Sequence, residues 1–135
     1  MLEVTCAIIE WNNKVLVAQR SDTMSLPLKW EFPGGKIEEN ETAENCLIRE
    51  IAEELSIQIE IQSRLDETVH SYSESKIIKL IPFVCKLIGG EVILTEHAQF
   101  LWLDKSELTN LDWADADIPV LNNYKKKSIE FAKKN

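Results

Sequence analysis

The feature that most constrains this chain is the segment from Glu41 to Leu55, which contains no Gly or Pro and consists mostly of strong helix formers. We therefore expect a helix here, capped at its start by Asn40 or Thr42. At about 100° per residue, the helix has an apolar side that we expect to pack against the rest of the domain. That side carries Ile48, Ile51 and Leu55.

Another side of the same helix gathers three acidic residues, Glu50, Glu53 and Glu54. Like charges three or four residues apart repel one another, so this arrangement is unfavourable unless a cation binds there. Carboxylate oxygens are hard ligands, which favours Mg²⁺, with Mn²⁺ as the alternative, over Zn²⁺. For an isolated acidic cluster, a solvated helix face would be the competing interpretation.

The spacing around this helix resembles the Nudix box of the Nudix hydrolases. Gly35 and Glu41 are followed by the segment 49–57 with its acidic residues in place, and Ser56 stands where the family has Gly. The segment 30–38 extends the resemblance toward the MutT-type nucleoside triphosphate pyrophosphohydrolases. It implies the Nudix fold, an α/β (α+β) architecture with a mixed β-sheet sandwiched between α-helices, and a single domain over residues 1–135.

The reaction implied by the resemblance is hydrolysis of a nucleoside triphosphate, 8-oxo-dGTP or a cytosine nucleotide, to the monophosphate and pyrophosphate. A non-catalytic nucleotide-binding module, or a hydrolase of another nucleoside diphosphate derivative, remains the alternative. The expected metal ligands are the Gly34 carbonyl, Glu50, Glu53, Glu54 and Glu96. The expected catalytic residues are Glu50 and Glu53, together with Arg49 as the structural partner of Glu41. The expected substrate-binding residues are Arg20, Phe32, Lys36 and Asp117.

Further expectations concern individual positions near this site. Arg20 and Lys36 are expected to hold phosphate oxygens, and the Gly34–Gly35 pair is read as a turn that permits positive φ. Glu96, six residues before Trp102, is expected to reach the metal site. His97 is expected to be solvent-exposed or a proton carrier. The Cβ of Ser56 costs about 1 kcal/mol if the backbone of Ser56 is left-handed. Asp117, at the position where MutT has Asn, is expected either to recognise the base or to cap a helix.

The formal net charge of −8 argues against binding of polymeric nucleic acid, which requires clustered Lys and Arg. The N-terminal sequence predicts neither a signal peptide nor a membrane span, so we expect a cytoplasmic protein, monomeric or homodimeric, whose partner is a small nucleotide. The three cysteines, Cys6, Cys46 and Cys85, are expected to be buried free thiols.

About six strands and a second helix are expected outside the acidic helix. A tight turn at 12–13 should join two strands, and the run 76–88 should form a central strand despite Pro82. The other expected elements, in chain order, are a bent strand over 57–72, a hairpin turn at 89–90, short strands at 91–94 and 100–103, a helical turn from 105 to 108, and a closing helix over 117–133.

Overall fold

The computed structural model describes the backbone of residues 1–134 and the side chains of residues 1–128. Its strands are β1 (Leu2–Trp11), β2 (Lys14–Gln19), β3 (Trp30–Glu31), β4 (Gly34–Lys36), β5 (Ile57–Arg64), β6 (Thr68–Ser71), β7 (Ile77–Gly90) and β8 (Gln99–Asp104). Its α-helices are α1 (Ala43–Leu55) and α2 (Ile118–Lys134), and 3₁₀ helices cover Lys105–Asn110 and Asp115–Asp117. Two apolar residues of the closing helix expected over 117–133, Ile129 and Phe131, lie outside the residues whose side chains are described.

All eight strands belong to one mixed sheet with β1 and β7 at its centre. The long strand β7 pairs in parallel with β1 and antiparallel with β5 and β6, so the prediction of a central strand is confirmed. Pro82 is tolerated inside β7 because it lies where the neighbour on one side changes from β5 to β6. At that point the Pro82 carbonyl still accepts a hydrogen bond from the Leu65 amide at 3.0 Å.

The two faces of the sheet are covered by different helices. Successive side chains of a strand point to opposite faces, and along β1 Cys6 and Ile8 pack with α2 residues whereas Ala7 and Ile9 pack with α1 residues. The predicted sandwich of a mixed sheet between helices is therefore confirmed. Each apolar side chain fully buried in these layers contributes roughly 1.5–3 kcal/mol to folding.

Helix α1 packs through Leu47, Ile51 and Leu55, which are fully buried. Ile48, expected on this side, is 42% exposed, so that part of the prediction is wrong: the buried stripe follows the i, i+4, i+8 positions that start at Leu47, and Ile48 lies at its edge. Helix α1 ends at a residue in the left-handed conformation, which the sequence analysis considered for this position: Ser56 has φ 60° and ψ 26°.

The predicted hairpin turn at Gly89–Gly90 is wrong. Both glycines belong to β7, where Gly90 pairs with Ile57 and has φ 85°. A Cβ on Gly90 would lie 2.6 Å from the Ser56 carbonyl oxygen, so glycine is needed for close approach to the end of α1. The predicted strand at 91–94 is also absent from the described backbone, because this stretch follows α1 instead, with the Ile93 amide bonded to the Leu55 carbonyl at 2.9 Å.

Other local predictions are confirmed. Asn12 and Asn13 have positive φ and connect β1 to β2, and the strand predicted at 100–103 is β8, paired with β2 and followed by a 3₁₀ helix. The three cysteines are buried and free. None of the helices in the described residues is long and apolar enough to cross a membrane. The strand count was underestimated for two reasons. Strands β3 and β4 are too short to give a periodic signal, and the single bent strand expected over 57–72 is two strands, β5 and β6.

Candidate active site

A cavity of about 390 Å³ opens beside the amino end of β1 and the carboxyl end of α1. This volume is within the range of small-molecule sites in proteins. Apolar side chains of β1 and β7 form much of its wall, together with a few convergent polar groups. Those polar groups include Arg20, Glu31, Glu54, His97 and Asp117.

The Gly34–Gly35 pair borders the cavity as part of β4, paired with β1, and neither glycine has positive φ. The prediction of a turn is therefore wrong, but the need for glycine is explained by close contacts. A Cβ on Gly34 would lie 2.1 Å from the Thr5 carbonyl oxygen, and one on Gly35 would lie 2.2 Å from Cδ of Glu50. The absence of a side chain thus lets β4 lie close to the backbone of β1 at Gly34 and close to Glu50 of α1 at Gly35.

The start of α1 is fixed by two polar contacts. Thr42 caps the helix by accepting a hydrogen bond from the Asn45 amide. Before it, Glu41 accepts two hydrogen bonds from Arg49, at 2.7 Å from Nε and 2.9 Å from Nη2, as expected for a structural pair. The Arg49 guanidinium, aided by the Glu38 amide, lowers the pKa of Glu41 to about 2. Glu41 is therefore ionised throughout the neutral range and holds Arg49 in place.

Arg49 also organises two of the three predicted acidic residues. Its Nη1 donates to Glu50 at 3.0 Å and to Glu53 at 3.1 Å. The Glu50 side chain is 16% exposed, whereas that of Glu53 is 59% exposed. The Arg49 guanidinium is thus bonded to one largely buried carboxylate, that of Glu50, and to one exposed carboxylate, that of Glu53.

Glu54 is the most perturbed acid of the predicted cluster. Burial, the nearby carboxylate of Glu50, and the charges of Glu31 and Glu96 together raise its pKa to about 8. Three carboxylates thus lie close enough to Glu54 to oppose its ionisation. Two of them, Glu50 and Glu96, were predicted with Glu54 as metal ligands, and their oxygens suit a hard divalent cation. The described residues include no group of three His, Cys, Asp or Glu side chains already in metal-binding geometry.

Glu96 and His97 lie in the loop before β8, and this loop is fastened at both ends. The Thr95 amide bonds to the Glu54 carbonyl at 3.3 Å, and the Ala98 amide bonds to the Gln19 carbonyl at 2.9 Å. Glu96 is exposed, whereas the His97 side chain is 1% exposed and its Nε2 lies 2.8 Å from Oε2 of Glu31. The expectation that His97 is exposed is wrong, because these backbone hydrogen bonds hold the loop so that the imidazole is directed inward.

Arg20 and Lys36, both expected to hold phosphate oxygens, have different environments. Arg20 borders the cavity, and its guanidinium already binds Oε1 of Glu31 at 2.6 Å and the Ser25 carbonyl at 2.6 Å. Lys36 is exposed on β4 and is not among the residues that line the cavity. The cavity therefore brings Arg20, but not Lys36, next to the acidic residues.

Asp117 is a buried residue on the wall of the cavity, and its Oδ2 accepts a hydrogen bond of 2.7 Å from the Phe32 amide. Asp117 directly precedes α2, and its role as a cap of that helix stays a prediction. Burial raises its pKa to about 8, and the nearby Glu31 contributes in the same direction. Phe32 lines the cavity and packs against Trp113 with ring centroids 4.7 Å apart.

Three charged or aromatic residues of the cavity were not predicted from the sequence: Glu31, Tyr72 and Lys76. Glu31 lies within the 30–38 motif, and strand alternation from the core residue Trp30 would have placed it on the other face. Tyr72 and Lys76 flank a short turn between β6 and β7, with the Lys76 ammonium 5.2 Å from the Tyr72 ring centre. A turn of this kind carries no periodic signal that would point to a cavity.

Comparison with known proteins agrees with this geometry. A family model of the NUDIX domain matches residues 1–124. The CTP pyrophosphohydrolase of Escherichia coli is 35% identical over 127 residues, which is 92% of this chain and 91% of that protein. The 8-oxo-dGTP diphosphatase of the same organism is 29% identical over 93% of this chain and 97% of that protein.

Among solved structures, one described as the DNA mismatch repair protein MutT, family Nudix hydrolase, from methicillin-resistant Staphylococcus aureus 252 superimposes with a TM-score of 0.72 at 47% identity. The match covers 90% of this chain and 92% of that one. The fold is thus shared with a protein matched over nearly its whole length. The chain belongs to the Nudix hydrolase family.

Proposed function

We propose that this Nudix hydrolase cleaves a nucleoside triphosphate to the monophosphate and pyrophosphate, with a cytosine nucleotide as its first candidate substrate. The observation that carries the proposal is that Glu54, near the carboxyl end of α1, and the buried Asp117 line the same cavity. A nucleoside seated toward Asp117 would direct its phosphates toward the carboxylates.

The carboxylates of Glu50, Glu53, Glu54 and Glu96, with the Gly34 carbonyl, are the residues proposed to hold Mg²⁺ or Mn²⁺. When bound, the ion supplies neutralisation of phosphate charge and lowers the pKa of water. The chain itself contributes the orientation of these groups, because Arg49 is locked by Glu41 and in turn holds Glu50 and Glu53. A glutamate beside the attacking water, Glu50 or Glu53, is proposed as the general base.

Recognition of the base is assigned to Asp117 and Phe32. Phe32 offers an apolar ring on the cavity wall, and Oδ2 of Asp117 is fixed by the Phe32 amide, which leaves Oδ1 for a ligand. An oxygen that accepts a hydrogen bond suits the amino group of cytosine. The 35% identity to a CTP pyrophosphohydrolase along nearly the whole chain supports the same choice.

The second candidate, 8-oxo-dGTP, is favoured by one specific observation. With a pKa raised to about 8, Asp117 holds a proton at neutral pH and can donate it to O6 of the purine, which an ionised carboxylate would repel. Phosphate binding by Arg20 and Lys36 belongs to either candidate. For Lys36 the proposal rests on the family resemblance alone, because its side chain is not on the cavity wall.

The test is a kcat/KM series over CTP, dCTP, dGTP and 8-oxo-dGTP, with pyrophosphate release as the readout. We expect cytosine triphosphates to lead, and Asp117→Asn to shift the ratio of kcat/KM between CTP and 8-oxo-dGTP by about tenfold or more, which corresponds to roughly 1–3 kcal/mol. An Asn variant that slows every substrate equally would contradict the assignment of Asp117. Preference for a nucleoside diphosphate sugar, or binding without turnover, would contradict the proposed reaction.

A further inference from the structure

The buried imidazole of His97 is a part of the site that the proposed function leaves unused. Its neighbours in the chain, Glu96 and Ala98, are exposed, so the side chain is directed inward from a loop that is otherwise at the surface. Nε2 lies 2.8 Å from Oε2 of Glu31, and Nδ1 is buried with no hydrogen-bond partner among the described residues.

The unpartnered Nδ1 indicates that His97 does not serve packing alone. Burying a polar atom without a hydrogen bond costs about 1–3 kcal/mol, which an apolar side chain of similar size would avoid. The contact that an apolar residue could not make is the hydrogen bond from Nε2 to Glu31. That bond is therefore the feature of His97 that offsets the cost.

Glu31 needs such a donor because its surroundings are acidic. Its charge contributes to the raised pKa values of both Glu54 and Asp117, and it lines the same cavity as they do. Repulsion from these neighbours would drive an unsupported carboxylate toward solvent. Two donors oppose this movement, with Arg20 on Oε1 at 2.6 Å and His97 on Oε2 at 2.8 Å.

The same contacts fix Arg20. Its Nη1 binds Glu31, while Nε and Nη2 bind the carbonyl and hydroxyl oxygens of Ser25 at 2.6 and 2.9 Å. Displacing Glu31 would remove one side of this support and free the guanidinium on the cavity wall. The chain of contacts thus runs from the loop at 95–98, through His97 and Glu31, to Arg20.

We propose that His97 is a positioning residue that, through Nε2, fixes Glu31 and with it Arg20 on the wall of the nucleotide cavity. The inference rests on the proposed function in taking this cavity as the nucleotide site. It predicts that His97 governs binding of the nucleotide rather than the chemical step, because neither Glu31 nor Arg20 belongs to the proposed set of metal ligands.

Two neutral amides at position 97 provide a matched test. The amide nitrogen of Gln can occupy the place of Nε2 and donate to Glu31, whereas that of Asn lies near the place of Nδ1 and cannot reach it. We expect His97→Asn to raise KM for CTP about tenfold, with kcat within about threefold and the half-saturating Mg²⁺ concentration unchanged. We expect His97→Gln to keep KM within about twofold of the wild type.

Calorimetric titration with CMP, without metal, provides a second readout, in which the Asn variant should bind about tenfold more weakly than the Gln variant. Equal losses in the two variants, no loss in either, or a loss confined to kcat or to the Mg²⁺ requirement would overturn the inference. If the wild type binds CMP but hydrolyses no triphosphate, the proposed reaction fails, while the CMP comparison still decides the role of His97.

Discussion

Adding a single methyl group at Gly35 should inactivate the protein without unfolding it. The added Cβ would lie 2.2 Å from Cδ and 2.5 Å from Oε2 of Glu50. Gly35 has no positive φ, so alanine can adopt its backbone conformation, and the conflict is with the end of a flexible side chain. The backbone pairing of β4 with β1 can therefore persist while the Glu50 carboxylate moves away.

The size of the effect follows from the distance. Since ordinary van der Waals contact begins at 3.4 Å, the Glu50 carboxyl group must shift by more than about 1 Å and give up its 3.0 Å hydrogen bond from Arg49. A misplacement of about 1 Å at a catalytic group costs roughly 100-fold in rate. We expect kcat of Gly35→Ala to fall by about that factor at saturating Mg²⁺, measured as pyrophosphate release.

Two other glycines serve as controls. In Gly89→Ala the new Cβ meets only the Gln58 side-chain amide, at 2.8 Å, so activity and melting temperature should stay close to the wild type. In Gly34→Ala it meets the Thr5 backbone carbonyl at 2.1 Å, so the melting temperature itself should fall. A Gly35→Ala protein with wild-type kcat, or one destabilised as much as Gly34→Ala, would refute the reasoning.

Three further predictions concern stability and coupling. Ser56→Gly should raise the free energy of unfolding by about 0.5 kcal/mol, because it removes the cost of a left-handed Ser but adds the greater chain entropy of unfolded Gly. The melting temperature should be higher by roughly 2 °C than in a Ser56→Ala control, and the absence of a rise would contradict the prediction. Arg49→Ala and Glu41→Ala should each lower kcat/KM, and the double variant should be no worse than the worse single one; full additivity would show that they act separately. Because the pKa of Asp117 is raised from 3.8 to about 8, the folded protein keeps a proton that the unfolded chain loses, and the wild type loses stability as pH rises from about 4 to 8. Asp117→Asn should therefore gain stability relative to the wild type over this range in urea titrations. A pH-independent difference between the two proteins would refute the pKa shift.

The parts of the fold that the sequence predicted are those with strong local signals. The acidic helix, its Thr42 cap and the left-handed Ser56 depend on residues near one another in the chain, and the Arg49 pair with Glu41 spans eight residues. The central strand was predicted because a long apolar run outweighs a single Pro82, which the sheet accommodates at a change of neighbour.

The parts that could not be predicted depend on contacts between distant segments. His97 is buried because its loop is bonded to residues in α1 and β2, and Glu31 lies between two donors more than ten residues away on either side. Gly34 and Gly35 were expected to form a turn that brings the backbone close to a ligand. Their close neighbours are Thr5 and Glu50, and neither contact can be seen in a linear pattern. The hydrogen bond that holds Asp117 could not be predicted either, because its partner Phe32 lies 85 residues away in the chain.

The central claim is that the carboxylates of α1 direct cleavage of a nucleoside triphosphate between its α and β phosphates. The most direct test is phosphorus NMR of CTP incubated with the protein and Mg²⁺, compared with the Glu54→Gln variant. We expect CMP and pyrophosphate as the only products of the wild type and no turnover by the variant, whose melting temperature should remain unchanged or higher because carboxylate repulsion is relieved. Release of orthophosphate and CDP, or near-wild-type turnover by Glu54→Gln, would contradict the claim.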